Sequence, residues 1–216
     1  MCAKLPKLRI HAGILCLCAL MIASSSHARD DGALKAENKD MSVVEIRKAA
    51  EQGSAEAQTA LGTMYMLGDT VDKDERKAVE WFIKAAMQGE IVAQFALGHA
   101  YENGRGIAKD EQQAVDWYRE AAEQGDVDAQ FNLATMLDEG RGVAKNDQQA
   151  AMWYLKAAEQ GQADAQITLG RWYLKGRGVA RDERQAFAWF KKAADQGRAQ
   201  AQQALGEIYE QGLGKR

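Results

Sequence analysis

Ala57-Gln58-Thr59-Ala60-Leu61-Gly62 is answered 36 residues later by Ala93-Gln94-Phe95-Ala96-Leu97-Gly98. The same step leads to Ala129-Gln130-Phe131-Asn132-Leu133-Ala134, to Ala165-Gln166-Ile167-Thr168-Leu169-Gly170 and to Ala201-Gln202-Gln203-Ala204-Leu205-Gly206. Trp81, Trp117, Trp153 and Trp189 also stand 36 apart. Self-similarity at one fixed period of this size marks a stack of repeated structural units. Fold and class of function are set together, because such stacks bind partners along extended surfaces.

Each period reads as two antiparallel helices, A and B. In the third copy helix A is predicted over roughly 127–138, with Ala129, Leu133, Ala134 and Leu137 on one face at helical spacing. Gly140-Arg141-Gly142 breaks it. Helix B starts after Asn146, an N-cap residue type with Gln149 three positions on, as in a capping box. Asp74, Asp110 and Asp182 hold the same place in other copies. Helix B shows Ala150, Trp153, Tyr154, Ala157 and Ala158 on its apolar face. It is expected to stop at Gly161, as its copies stop at Gly53, Gly89, Gly125 and Gly197, where a left-handed residue ends a helix. The alanine pairs let helices approach closely, and the tryptophans are expected to fill the space that remains.

The chain has 216 residues, 46% apolar and 27% charged, far from a disordered composition. A formal charge of −3 gives no basic balance that points to nucleic acid. Residues 1–28 differ in kind. Lys4, Lys7 and Arg9 precede the apolar run Ile14 to Ala23, and Ser26-His27-Ala28 offers small residues at a cleavage site. This is the pattern of a secretory signal peptide, and the apolar run is shorter than the roughly 20 residues of a membrane-spanning helix. Cleavage after Ala28 would remove Cys2, Cys16 and Cys18, every cysteine present. It would also remove three positive charges and no acid, taking the formal charge from −3 to −6. The expected product is periplasmic or secreted, has no stable membrane span, and folds without disulfides. Residues 29–41 read as a polar flexible leader.

The repeats then run over 42–216, with copies near 55–90, 91–126, 127–162 and 163–198 and a half-copy at 199–216. A lone B-type helix from Ser42 to Gln52 opens the array, and a lone A-type helix from about Ala199 to Gln211 closes it. Gln200, Gln203, Glu207 and Glu210 give that last helix the polar outer face of a terminal cap.

The fourth copy shows the pattern most fully: Ala163-x-Ala165-Gln166-x-x-Leu169-Gly170-x-x-Tyr173-x-x-Gly176-x-Gly178-Val179-x-x-Asp182, then Ala186-x-x-Trp189-Phe190-x-x-Ala193-Ala194-x-Gln196-Gly197. It resembles the Sel1-like repeat, a cousin of the tetratricopeptide repeat, and the resemblance covers about 42–216. It implies an all-α fold, an α/α superhelical solenoid of helix pairs. It also implies a non-catalytic protein-interaction scaffold or regulatory adaptor of the bacterial cell envelope, with a protein or peptide partner lying along the concave face of the A helices. The first loop, Gly68-Asp69-Thr70, departs from the later Gly-Arg-Gly, so a looser turn is expected there. Some cysteine-rich members of the family have been described as β-lactamases. A hydrolase or binder acting on cell-wall or β-lactam material is therefore the alternative, but the disulfides of those members are missing here.

Beyond residue 28 the chain is poor in reactive groups: one histidine, His99, no cysteine, and serines only at Ser42 and Ser54. A Ser-His-Asp or Cys-His constellation has no material, and a lone histidine lacks metal-ligand partners. No catalytic residue, metal or cofactor is expected, and His99 is read as a solvated groove residue. Asp74, Asp110 and Asp182 are explained by capping, and Glu75, Glu111, Asp147 and Glu183 by the helix dipole. Arg105, Arg141 and Arg177, with Lys73, Lys109, Lys145 and Arg181, trace a periodic edge of cations, each beside an acid, which reads as a mixed solvated edge. Gly104-Arg105-Gly106 follows no strand, so it fails the context of a dinucleotide-binding loop.

The candidate partner surface is the set of A-helix positions where the copies disagree: Glu56, Thr63 and Met66; Val92, His99, Glu102 and Asn103; Asp128, Thr135, Asp138 and Glu139; Arg171, Leu174 and Lys175. Its middle is acidic, with a basic patch at Arg171 and Lys175. Trp172, irregular among Met64, Ala100, Met136 and Ile208, reads as a core filler rather than a ligand anchor.

Overall fold

The computed structural model describes residues 42–210. The signal segment, the leader and positions 211–216 of the half-copy lie outside the described residues. Within them the chain is all-α, ten helices with no strand. These are α1 (Val43–Glu51), α2 (Ala55–Leu67), α3 (Glu75–Ala86), α4 (Ile91–Asn103), α5 (Glu111–Glu123), α6 (Val127–Glu139), α7 (Asp147–Glu159), α8 (Ala163–Lys175), α9 (Glu183–Asp195) and α10 (Ala199–Glu210). They divide into two compact units, one up to Lys109 and the other from Asp110. In the first unit each of α1 to α4 packs on the next, and in the second each of α5 to α10 does so.

The helix boundaries follow local chemistry. Asp74, Asp110, Asn146 and Asp182 each accept a hydrogen bond from the backbone N–H three residues on, which satisfies an otherwise orphaned donor. Ser42 and Glu45 complete a reciprocal capping box at α1. The A helices are capped as well, by Ser54, Glu90, Asp126 and Gln162. Gly53, Gly89, Gly125, Gly161 and Gly197 all take positive φ where the B helices stop, as expected.

The aromatic core differs in one respect from the sequence expectation. The residue after each tryptophan fills the centre: Phe82, Tyr118, Tyr154 and Phe190 are almost fully buried. Phe82 lies on Gly62 and Phe190 on Gly170 so closely that a Cβ built at either glycine would stand 2.7 Å from the ring. The last glycine of the repeated phrase is thus a seat for a B-helix ring. The tryptophans flank this core, and Lys84, Lys156 and Lys192 place their ammonium groups 3.9–4.0 Å from the ring centres of Trp81, Trp153 and Trp189.

The glutamine of the phrase is a buried staple. The side chains of Gln58, Gln94, Gln130 and Gln166 donate to the carbonyls of Ala50, Ala86, Ala122 and Ala158 on the preceding B helix. Gln58, Gln130 and Gln166 also accept from Gln88, Gln160 and Gln196 at the end of the following B helix. One amide side chain therefore stitches three helices together, adding a second donor to carbonyls that already accept the backbone N–H of Gly53, Gly89, Gly125 or Gly161. Gln202, at the same place in the fifth copy, is exposed.

The Gly-Arg-Gly loops clamp one repeat onto the previous one. A Cβ at Gly106 would lie 2.0 Å from the Glu75 carbonyl oxygen, at Gly142 2.2 Å from that of Glu111, and at Gly178 2.2 Å from that of Asp147. The arginine between the glycines reaches the same helix start: Arg105 pairs with Glu75 at 3.2 Å and Arg177 with Asp147 at 3.0 Å. Thr70, at the place of Gly106 in the first copy, adopts a left-handed φ of 66°.

Candidate functional site

The positions where the copies disagree fall into distinct environments. Thr63 and Met66 are buried, the Thr63 hydroxyl donating to the Thr59 carbonyl at 2.9 Å. They belong to the core of α2, which corrects the reading of them as groove residues; Glu56 is half-buried. On α4, Val92, His99 and Glu102 are half-buried and Asn103 is exposed, its amide donating to the His99 carbonyl. His99 is therefore not a solvated side chain. Burial holds its imidazole below the ordinary value of 6.5, aided by Arg105 and opposed by Glu102. It is neutral at pH 7, and no group of three His, Cys, Asp or Glu able to hold a metal ion occurs among the described residues.

In the second unit Asp128 is exposed, yet surrounding protein pushes its carboxyl above the ordinary value. Thr135 shares a 3.1 Å hydrogen bond with the Tyr154 hydroxyl, whose pKa burial pushes up to about 12. The Tyr154 ring meets Trp172 edge-on at 5.3 Å. Trp172 is 4% exposed and lies under the Arg177 guanidinium at 4.5 Å, so it is a core residue that also seats the loop arginine. Arg177 bonds both Asp138 and Asp147, and it holds the Asp147 carboxyl below the usual carboxylate range. Glu139 pairs with Arg141 at 2.6 Å. Asp138 and Glu139 therefore serve the inter-repeat loops before they can serve a partner. Lys73, Lys145 and Arg181 likewise sit on Glu75, Asp147 and Glu183, giving the mixed edge of opposite charges.

Arg171, Leu174 and Lys175 have fewer obligations. Arg171 and Lys175 are exposed, and Arg171 donates a hydrogen bond to the Gln200 side-chain oxygen at 3.4 Å. Arg171 and Leu174 line one open cleft between α8 and α10, together with Gln200, Gln203 and Glu207. The sequence assigned those last three to a cap. Their polarity was legible, but their position opposite Arg171 depends on how α10 packs. No Ser, Thr, Cys, His or Lys is among the described residues that line the cleft. Its chemistry is hydrogen bonding and charge beside an apolar floor.

Comparison with known proteins follows the same lines. The family model described as Sel1 repeat matches residues 55–90, 91–126, 127–162, 163–197 and 199–216. A crystal structure of a protective antigen present in uropathogenic Escherichia coli strains, displaying an SLR fold, is 40% identical with a TM-score of 0.77, covering 80% of this chain and 37% of that one. A Sel1 repeat protein from Oxalobacter formigenes is 38% identical with a TM-score of 0.72, covering 77% of this chain and 48% of that one. Cysteine-rich protein B of Helicobacter pylori is 30% identical with a TM-score of 0.49, covering 64% of this chain and 99% of that one. The chain thus spans less than half the length of the first two structures it matches. Comparison with curated proteins gives no match.

Proposed function

Since the chain belongs to the Sel1 repeat family, we propose that it is an exported, non-catalytic scaffold or adaptor of the bacterial cell envelope. On this reading it holds a protein or peptide partner against the exposed positions of its A helices. One observation carries it. Residues that recur every 36 positions are taken up by packing, stapling and clamping, whereas exposed A-helix residues such as Asn103, Asp128, Arg171 and Lys175 differ from copy to copy. Surface free of a structural duty is where specificity can reside.

Export rests on the charged n-region, the apolar run and the Ser26-His27-Ala28 site. Among the described residues no helix is long and apolar enough to cross a membrane. The partner reading is tested by affinity capture from the envelope fraction of the exporting cell. The chain and a variant carrying Asn103→Lys, Asp128→Lys and Arg171→Glu are compared. The captured protein should be lost with the variant while its helical circular dichroism is unchanged. Equal capture by both would sink the A-helix reading. Turnover of a β-lactam or of peptidoglycan by the purified protein, abolished by one side-chain change, would replace it with the hydrolase alternative.

A further inference from the structure

Within the second unit, α8, α9 and α10 enclose an open cleft of about 190 Å³. Phe190 and Ile208, both buried, give it an apolar floor, and half-buried Leu174 extends that surface. Ligand pockets for whole small molecules run from about 300 Å³ upward. This cleft has room for one or two side chains of a larger partner rather than for a free metabolite.

Most arginines of the unit are paired within the chain. Arg119, Arg141, Arg177, Arg181 and Arg198 each hold a carboxylate of their own chain. Arg171 and Arg184 have no carboxylate partner among the described residues, and of the two Arg171 lines the cleft, donating to the Gln200 amide oxygen at 3.4 Å. Lys175, one turn further along α8, is exposed and also has no carboxylate partner among the described residues. Glu207, the acid of the cleft, receives the Gln203 amide at 3.0 Å. A guanidinium presents donors in a planar fork that matches a carboxylate, and here it has none among the described residues and stands beside an apolar floor.

From this, and resting on the A-helix reading above, we infer that the cleft receives a partner segment in which an Asp or Glu is adjacent to an aliphatic residue. The carboxylate pairs with Arg171, with Lys175 adding positive potential. The aliphatic side chain enters between Leu174 and Ile208, and Gln200 releases Arg171 as the carboxylate arrives.

A random nonapeptide library selected against the full chain tests this. Selected peptides should be enriched in Asp or Glu next to Leu, Ile or Val. Arg171→Glu should weaken them by about tenfold or more, the scale of a charge-assisted hydrogen bond, with unchanged helical circular dichroism. Arg171→Gln should fall between, and a peptide with Lys in place of its acid should regain binding to Arg171→Glu. Enriched peptides without an acid would overturn the inference. So would binding that ignores Arg171→Glu while responding to Glu102→Lys or Asn103→Lys, although that outcome leaves the A-helix reading standing. Peptides that bind but respond to none of these changes, or no enrichment at all, would remove both.

Discussion

Gln130 shows how a single residue carries both order and repetition. The buried Gln130 amide donates to the Ala122 carbonyl at 3.1 Å and accepts from the exposed Gln160 at 2.9 Å. Gln130→Leu removes both bonds while the Ala122 carbonyl keeps the Gly125 N–H, and at about 0.5–1.5 kcal/mol per bond the loss is roughly 1–3 kcal/mol. Gln202→Leu, at the same place in the repeat but exposed, should stay within about 0.5 kcal/mol. Urea unfolding of the two variants makes the comparison, and equal losses would contradict the staple. The recurrence of this glutamine is plain in the sequence, as is a second glutamine series 30 residues on, Gln88 to Gln196. The bond between them is not, because spacing does not say which buried carbonyl an amide faces. His99 is a second case. Burial lowers its pKa in the folded state, so the unfolded chain takes up the proton first. Stability is then full above the unfolded value of 6.5 and declines as pH falls below it. His99→Gln should reduce that decline in unfolding midpoints measured between about pH 5 and 8. An unchanged slope would count against the buried imidazole.

At the scale of elements, caps and clamps were unequally legible. The B-helix starts and stops could be read directly, because Asp or Asn and Gly each have one physical reason to stand there. Helix A of the third copy, expected over roughly 127–138, runs Val127–Glu139. The Gly-Arg-Gly loops were legible only as breaks. Their second function appears when Gly142 meets the Glu111 carbonyl, a contact between elements that are sequentially remote. Two glycines with positive φ therefore separate the effects. Gly125 has nothing within 4 Å, so Gly125→Ala should cost only the left-handed penalty, about 1–2 kcal/mol. Gly142→Ala adds a collision with backbone and should cost roughly 4 kcal/mol or more. Thermal unfolding of the pair measures the difference, and equal costs would mean that the loop does not clamp. The same logic explains why Asp138 and Glu139 were overread as partner contacts. Their charge is visible in the sequence, but Arg177 and Arg141 reach them only in the folded chain.

At the scale of the whole molecule, stability must come from inter-helix burial if the signal segment is removed, since every cysteine lies before residue 28. On the proposed export, the protein recovered from the envelope should begin at Arg29 by mass spectrometry, and its melting temperature should not respond to a reducing agent. A thiol-dependent shift would show that the first segment is retained. The central claim is that repeated residues build the stack while varied A-helix residues select the partner. It is tested most directly by photo-crosslinking in the envelope, with a benzoyl-phenylalanine placed at Asn103, Asp128 or Lys175 on A helices, or at Glu120, Glu159 or Lys191 on B helices. The account predicts that one partner crosslinks from the A-helix positions and not from the B-helix positions. Crosslinks from the B helices alone, or equally from both, would contradict it.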